Sequence, residues 1–210
     1  ELGAIAITGG MVASETIEAA SLTVSLTSTI TKDITTTGIQ TYTGAALIAG
    51  DLTLDTTTAN AITFGGTLDS SGGARALTLD ATTAAVQFGG VVGGTTAFGA
   101  IVITGAMDLN SDIGDSSVGA ASLTVSTTSD FADAANNIAL VRTTGIQTYS
   151  GAANLTDNTS LINTNSAITF GAALTSVASG DKTLTINTGS AATTFTGTVG
   201  AGTGRELGAI

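Results

Sequence analysis

Short segments in which apolar residues alternate with small or polar ones recur along the whole chain. They include AIAIT at 4–8, SLTVS at 21–25, DLTLD at 51–55, AITF at 61–64, ALTLD at 76–80, AVQF at 85–88 and AIVIT at 100–104. The second half adds SLTVS at 122–126, AITF at 167–170, TLTIN at 183–187 and TTF at 193–195. A period of two is that of a strand with one buried face. The β-branched residues Thr, Val and Ile suit a pleated surface. Gly pairs, Ser, Asn and Asp bound the segments, and these residues favour turns. No segment carries a sustained 3.6-residue stripe; FADAANNIAL at 131–140 is the one candidate for a helical turn or lateral loop.

The spacing of like segments is nearly regular. Ile62 to Val86 and Leu77 to Ile101 are 24 residues, and Ile101 to Leu123 is 22. Leu123 to Ile146 is 23, Ile146 to Ile168 is 22, and Leu184 to Leu207 is 23. Two or three short strands in each such interval predict an all-β chain folded as a right-handed parallel β-helix (β-solenoid). It would have about nine coils of 22–25 residues, forming a rod about 40 Å long at the inter-strand spacing of a sheet. The competing all-β reading is a string of immunoglobulin-like sandwiches of about 100 residues. The spacing, the scarcity of aromatics and the lack of Pro fit that reading less well.

Longer repeats lie above the coils. GIQTYTGAA at 38–46 returns as GIQTYSGAA at 145–153, AASLTVS at 19–25 returns at 120–126, and AITFG at 61–65 returns at 167–171. LTLD at 77–80 returns as LTIN at 184–187. LGAI at Leu2 recurs as FGAI at Phe98 and as LGAI at Leu207. The shifts grow from 96 to 107 along the chain, as loop insertions between fixed elements would make them. The expected organisation is one continuous solenoid: a first half-repeat over 1–97, a second over 98–206, and the start of a further 205-residue period at 207–210. ELGAI therefore marks a candidate polymer joint, formed by Glu1, Leu2, Gly3, Ala4 and Ile5 with Glu206, Leu207, Gly208, Ala209 and Ile210. On this reading the chain is an internal slice of a longer array, and any export signal lies outside it.

Composition supports stacking. There is no Pro, which would delete a ladder donor at each occurrence. The apolar residues are mostly small or β-branched, with eight aromatics among 210 residues. Long charged side chains, which would repel if stacked in register, are rare: 10% of residues are charged. The net charge of −11, with five Lys and Arg, argues against nucleic acid and anionic membrane surfaces as partners. No run of 18 apolar residues predicts a membrane-spanning helix. The absence of Cys rules out disulfides and thiolate metal sites.

TTGIQTYTGAA, LTLDATTAAVQFGG and AITFGGTLDSSGG resemble the repetitive regions of filamentous-haemagglutinin-like proteins, very large bacterial surface or secreted exoproteins. The resemblance covers essentially the whole chain and is one of composition and repeat style. It implies β-helical repeats, an extracellular or cell-surface location and an adhesive or scaffolding role. It transfers no catalytic residue.

Candidate chemistry is sparse. Asp51 with Asp55, or Asp130 with Asp133, could pair as acid and base on a polysaccharide-acting β-helix, but strand-end turn residues are the expected role, and no catalytic residue is assigned. DLNSDIGD at 108–115 places Asp108, Asn110, Asp112 and Asp115 with the odd-position oxygen spacing of a calcium loop. Ile113 stands where that loop wants Gly, and MVASETIE in the first half-repeat lacks the pattern, so calcium is the only cofactor considered and a solvated turn the competing role. GGVVGGTT at 89–96 lacks the Lys of a phosphate loop and reads as a coil corner. Asn154 and Asn158 head glycosylation sequons. Tyr42 and Tyr149, and Phe64 and Phe170, occupy equivalent places in the two halves, as internal packing or as carbohydrate-stacking sites. An ice-binding Thr array would need TxT in register on every coil, which varying coil lengths oppose. The expected function is structural and non-enzymatic: a repeat unit of an exported extracellular fibre or sheath, partnered by adjacent copies of itself. The alternatives are the stalk of a surface adhesin and, third, a polysaccharide-acting enzyme.

Overall fold

The computed structural model describes residues 2–115, 117–177, 182–201 and 206–208. Those residues form a parallel β-solenoid of about eight turns, without a helix. Each turn lays down three short strands, one on each of three faces. We number the faces in the order the chain visits them. Face 1 stacks Ile34, Leu54, Leu79, Ile103, Val125, Tyr149, Phe170 and Phe195 as inward residues. Face 2 stacks Ile5, Leu22, Gln40, Ile62, Val86, Met107, Ser129, Ala153 and Leu174. Face 3 stacks Met11, Ser28, Ala46, Leu68, Val92, Ile113, Val141, Leu161 and Ile186.

Every ladder between these strands is parallel, so the free N–H and C=O groups of each interior strand are met by the coil above and the coil below. Three strands, Ile17–Val24, Leu77–Phe88 and Ala100–Leu109, run round the corner from face 1 to face 2. They join those faces into one 15-stranded sheet, whereas face 3 holds separate four- and three-stranded sheets linked by isolated bridges. The corner can be very short. Where Leu77–Phe88 spends four residues between Asp80 and Ala85, Ala100–Leu109 spends only Gly105 between Thr104 and Ala106. Gly105 turns the chain at φ 133°, and a Cβ there would lie 2.6 Å from the Ala84 carbonyl oxygen.

The core is a single column of inward side chains. Alternation within each strand puts Leu22 and Val24, Ile62 and Phe64, or Leu123 and Val125 inside, with Thr23, Thr63 and Thr124 between them on the surface.

Coil length is more variable than 22–25. On face 2 the steps from Ile5 to Leu22 and from Leu22 to Gln40 are 17 and 18 residues, and on face 3 the step from Ile113 to Val141 is 28. Only the three strands are constrained by ladder bonds, so corners absorb insertions. On face 2 the named strands make eight turns from Ile5 to Leu174, and the Leu174–Val199 bridge adds a ninth. FADAANN is one such corner: it holds a turn at 134–136, and Asn137 has φ 61°.

Candidate functional site

The strongest repeated local arrangement lies inside the coils. In GIQTY the hydrophobicity pattern suggests an inward Ile, and the 23- and 22-residue spacings predicted Ile146 as a rung. The ladder instead pairs Gln147 with Leu123 and with Ile168. Gln40 and Gln147 are fully buried, while Ile39 and Ile146 are 46% and 50% exposed. Two hydrogen-bond sets explain the inversion. Tyr42 Oη donates to Gln40 Oε1 at 2.9 Å, and Gln40 Nε2 donates to the Asp55, Ile34 and Thr36 oxygens at 2.8, 3.2 and 3.3 Å. In the second copy Tyr149 Oη donates to Gln147 Oε1 at 2.9 Å, and Gln147 Nε2 donates to the oxygens of Ile162, Thr143 and Val141 at 3.0, 3.2 and 3.3 Å. Burial raises both phenols well above their ordinary range, which keeps them as neutral donors. The Gln amide thus closes the corner between two faces, and the Tyr satisfies its oxygen. The signal available in sequence was GIQTY itself, repeated without change.

Each Tyr begins an aromatic stack. Tyr42, Phe64 and Phe88 lie with centroids 5.2 and 5.8 Å apart on face 2. Tyr149, Phe170 and Phe195 repeat the stack at 5.2 Å on face 1. Tyr42, Tyr149, Phe64 and Phe170 are buried, so they pack internally and offer no face to a sugar.

The carboxylates serve mainly the backbone. Asp51 Oδ1 accepts the Ala76 N–H of the next coil at 2.9 Å, and its counterpart Asn158 accepts from Thr183 N–H at 2.9 Å. Asp33, Asp69 and Asp112 accept in the same way from Thr53, Thr95 and Leu140. Asp51 and Asp55 bracket an extended strand and do not meet; Asp55 instead neighbours Asp80 on the adjacent rung. Asp130 lies on the outer side of face 2, accepting from Asn154 at 2.6 Å, while Asp133 is buried at the following corner and accepts from Ala135 N–H at 2.7 Å. A shallow cleft lined by Glu18, Thr35, Thr36, Thr37 and Thr57 contains one carboxylate and no partner base.

In the calcium candidate, Asp108 accepts from Asn110 Nδ2 at 2.9 Å and Gln87 Nε2 at 3.4 Å. Asp112 is committed to Leu140 of the next coil. Asp115 caps its own turn, accepting the Ser117 and Val118 N–H groups at 2.6 Å each, which lower its pKa. The structure thus brings Asp108 and Asn110 together and gives Asp112 and Asp115 separate partners. Among the described residues no cluster of three or more His, Cys, Asp or Glu could hold a metal.

The candidate joint carries the clearest geometry. Leu2–Ile7 is the outermost strand of face 2, paired only with Ile17–Val24, and Leu2 is 64% exposed. Its counterpart in mid-chain, Ala100–Leu109, is covered on both sides, by Leu77–Phe88 and by Ser122–Val125. Gly99 N–H enters that strand by donating to the Arg75 oxygen at 2.8 Å. At the other end Gly208 N–H donates to the Lys182 oxygen at 2.9 Å, and Leu207 packs against the core. Lys182 stands 107 residues after Arg75, the shift that relates the two half-repeats there. Gly208 in the third occurrence of the motif thus makes the bond to Lys182 that Gly99 in the second makes to Arg75. Glu1, Ala209 and Ile210 of the candidate joint lie outside the described residues.

No protein-family model matches the chain, and neither does any curated protein or solved structure.

Proposed function

We propose that the chain is a structural, non-enzymatic repeat unit of an extracellular fibre or sheath, extended by stacking one copy's first coil onto the previous copy's last. The Gly208 to Lys182 hydrogen bond carries this reading, because it repeats the bond by which the second half-repeat is already stacked on the first. Within the chain the same junction is covered on both sides, with Ile101 and Ile103 fully buried. The repeat style shared with filamentous-haemagglutinin-like exoproteins supports a cell-surface or secreted location and adjacent copies as the partners.

Chains of one, two and four consecutive 205-residue periods test this reading. Electron micrographs should show unbranched rods that lengthen by about 45 Å per added period, from the sheet spacing of about 4.8 Å per coil. Separate globules strung along a flexible chain would refute it.

A further inference from the structure

The two half-repeats are related by a screw. Leu22, Gln40 and Ile62 stack on face 2, while their counterparts Leu123, Gln147 and Ile168 stack on face 1. The outward ladder Val12, Thr29, Leu47 belongs to face 3, and its counterpart Asp108, Asp130, Asn154 to face 2. Leu77–Asp80 lies on face 1, and its counterpart Leu184–Asn187 on face 3. All three faces shift in the same sense.

The shift follows from the number of strands. From Ile5 the chain makes four turns on face 2, through Leu22, Gln40, Ile62 and Val86, then crosses face 3 at Val92 to reach Ile101 on face 1. That is four and two-thirds turns. From Ile101 it makes four turns on face 1, through Leu123, Gln147, Ile168 and Thr193, crosses face 2 at Val199, and meets face 3 where Gly208 bonds Lys182. That is again four and two-thirds turns. Fourteen strand positions per half-repeat is not a multiple of three, so equivalent sequence cannot return to the same face.

We infer that the open edge beyond Leu184–Asn187 takes a second copy of this chain rotated by one face, so that each 205-residue period winds nine and one-third turns. This deepens, and rests on, the reading of the chain as a stacking repeat. The occupant is specified by Gly208, whose N–H already bonds the Lys182 oxygen at the start of that edge. The surface consequence is a stripe that spirals. The apolar ladder of Val12 and Leu47 lies on face 3 in one period, on face 1 in the next and on face 2 in the third. Three periods, about 135 Å at the sheet spacing, restore the pattern. A lateral neighbour that recognises this ladder from one side would engage one period in three. Translation without rotation would break the bond pattern at the joint, because the copy's first strand would have to leave the strand it already stacks on.

The test is a rod of four consecutive periods carrying one electron-dense label per period at Val12→Cys, a position 76% exposed and clear of the core. Cryo-electron microscopy at a resolution that separates the three faces reads each label's face and height. Labels are expected about 45 Å apart along the axis, on three successive faces, with the fourth above the first at about 135 Å. The unlabelled rod, traced in the same way through the Tyr42–Phe64–Phe88 stacks, should show the same progression. Continuous rods with all labels on one face would overturn the rotation while leaving the stacking function intact. Absence of continuous rods would overturn the function on which it rests.

Discussion

At the scale of single residues, the fold depends on polar groups placed where hydropathy would not put them. Gln147 inside and Ile146 outside give a direct comparison. Gln147→Ala leaves Tyr149 Oη without its acceptor and removes the three bonds the amide donates across the corner, so it should destabilise by about 2–3 kcal/mol, whereas Ile146→Ala should cost less than about 0.5 kcal/mol. Chemical denaturation of the two variants checks the order; a costlier Ile146→Ala would mean that the buried and exposed positions are interchanged. Carboxylate pairs set the pH response. Burial, and after it the Asp80 carboxylate on the neighbouring rung, raise the pKa of Asp55. Burial also raises Asp112, against the bond from Leu140 and with help from Asp133. A carboxyl raised on folding binds more protons in the folded than in the unfolded chain between its two pKa values. Stability therefore rises as pH falls through the folded values, and the gain is complete below the ordinary carboxylate value. Asp115, lowered by its turn bonds, acts in the opposite sense: its contribution is present above the ordinary value and is lost as pH falls through the folded one. Thermal unfolding should show Tm rising from pH 7 to about 4.5, with the carboxylate reference near 4. Asp55→Asn should flatten that rise and add about 0.5 kcal/mol at pH 7 by removing a like-charge pair directly opposite on adjacent strands.

At the scale of strands and corners, close approach of coils limits which residues can stand at the bends. A Cβ on Gly38 would lie 2.6 Å from the Ala20 carbonyl oxygen of the previous coil, and the counterpart Gly145 meets Ala121 in the same way. Gly38→Ala should therefore cost about 1–3 kcal/mol, although neither glycine has a positive φ, because the backbone of one coil must move off the other. Between corners the aromatic stacks fill the column. Phe64 touches rings above and below, so Phe64→Ala removes both stacking contacts and should cost about 3–5 kcal/mol. Equilibrium unfolding measures both, and a Gly38→Ala variant as stable as the parent would show that the corner has room. Ile62 over Val86 and Leu77 under Ile101 could be aligned from spacing alone, because each begins an alternating segment with an apolar residue. The Leu123 to Gln147 rung could not, because a buried Gln looks polar until its partners on the adjoining face are known.

For the whole molecule, the interior repeats while the exterior diverges. The Gln–Tyr corners and three-ring stacks recur in both halves, the second adding an edge contact from Phe131 to Tyr149, yet the outward ladder Val12, Thr29, Leu47 becomes Asp108, Asp130, Asn154. Stacking needs the interior; surface chemistry is free to vary along the rod. A stack whose coils touch only their neighbours should fray from its ends. Hydrogen exchange should find the least protected ladder amides in Leu2–Ile7 and Thr193–Phe195 and the most protected in Leu77–Phe88 and Ala100–Leu109. In a two-period chain the second copy of Leu2–Ile7 should gain at least tenfold protection over the first. Equal exchange in the two copies would show that the joint is not covered.

The sequence by itself determined the rung: a period of two, turn residues at its ends, small and β-branched side chains, and no Pro to interrupt a ladder. It also determined that the pattern is duplicated, with insertions accumulating between fixed elements. Those are local properties, legible because alternation and identity need no knowledge of neighbours. Only the tertiary structure decided which rung each strand occupies, that Gln40 and Gln147 face inward, and that the acidic candidates serve neighbouring backbones. It alone set the rotation between halves, because the face on which a strand lands depends on the count of all strands and corners before it.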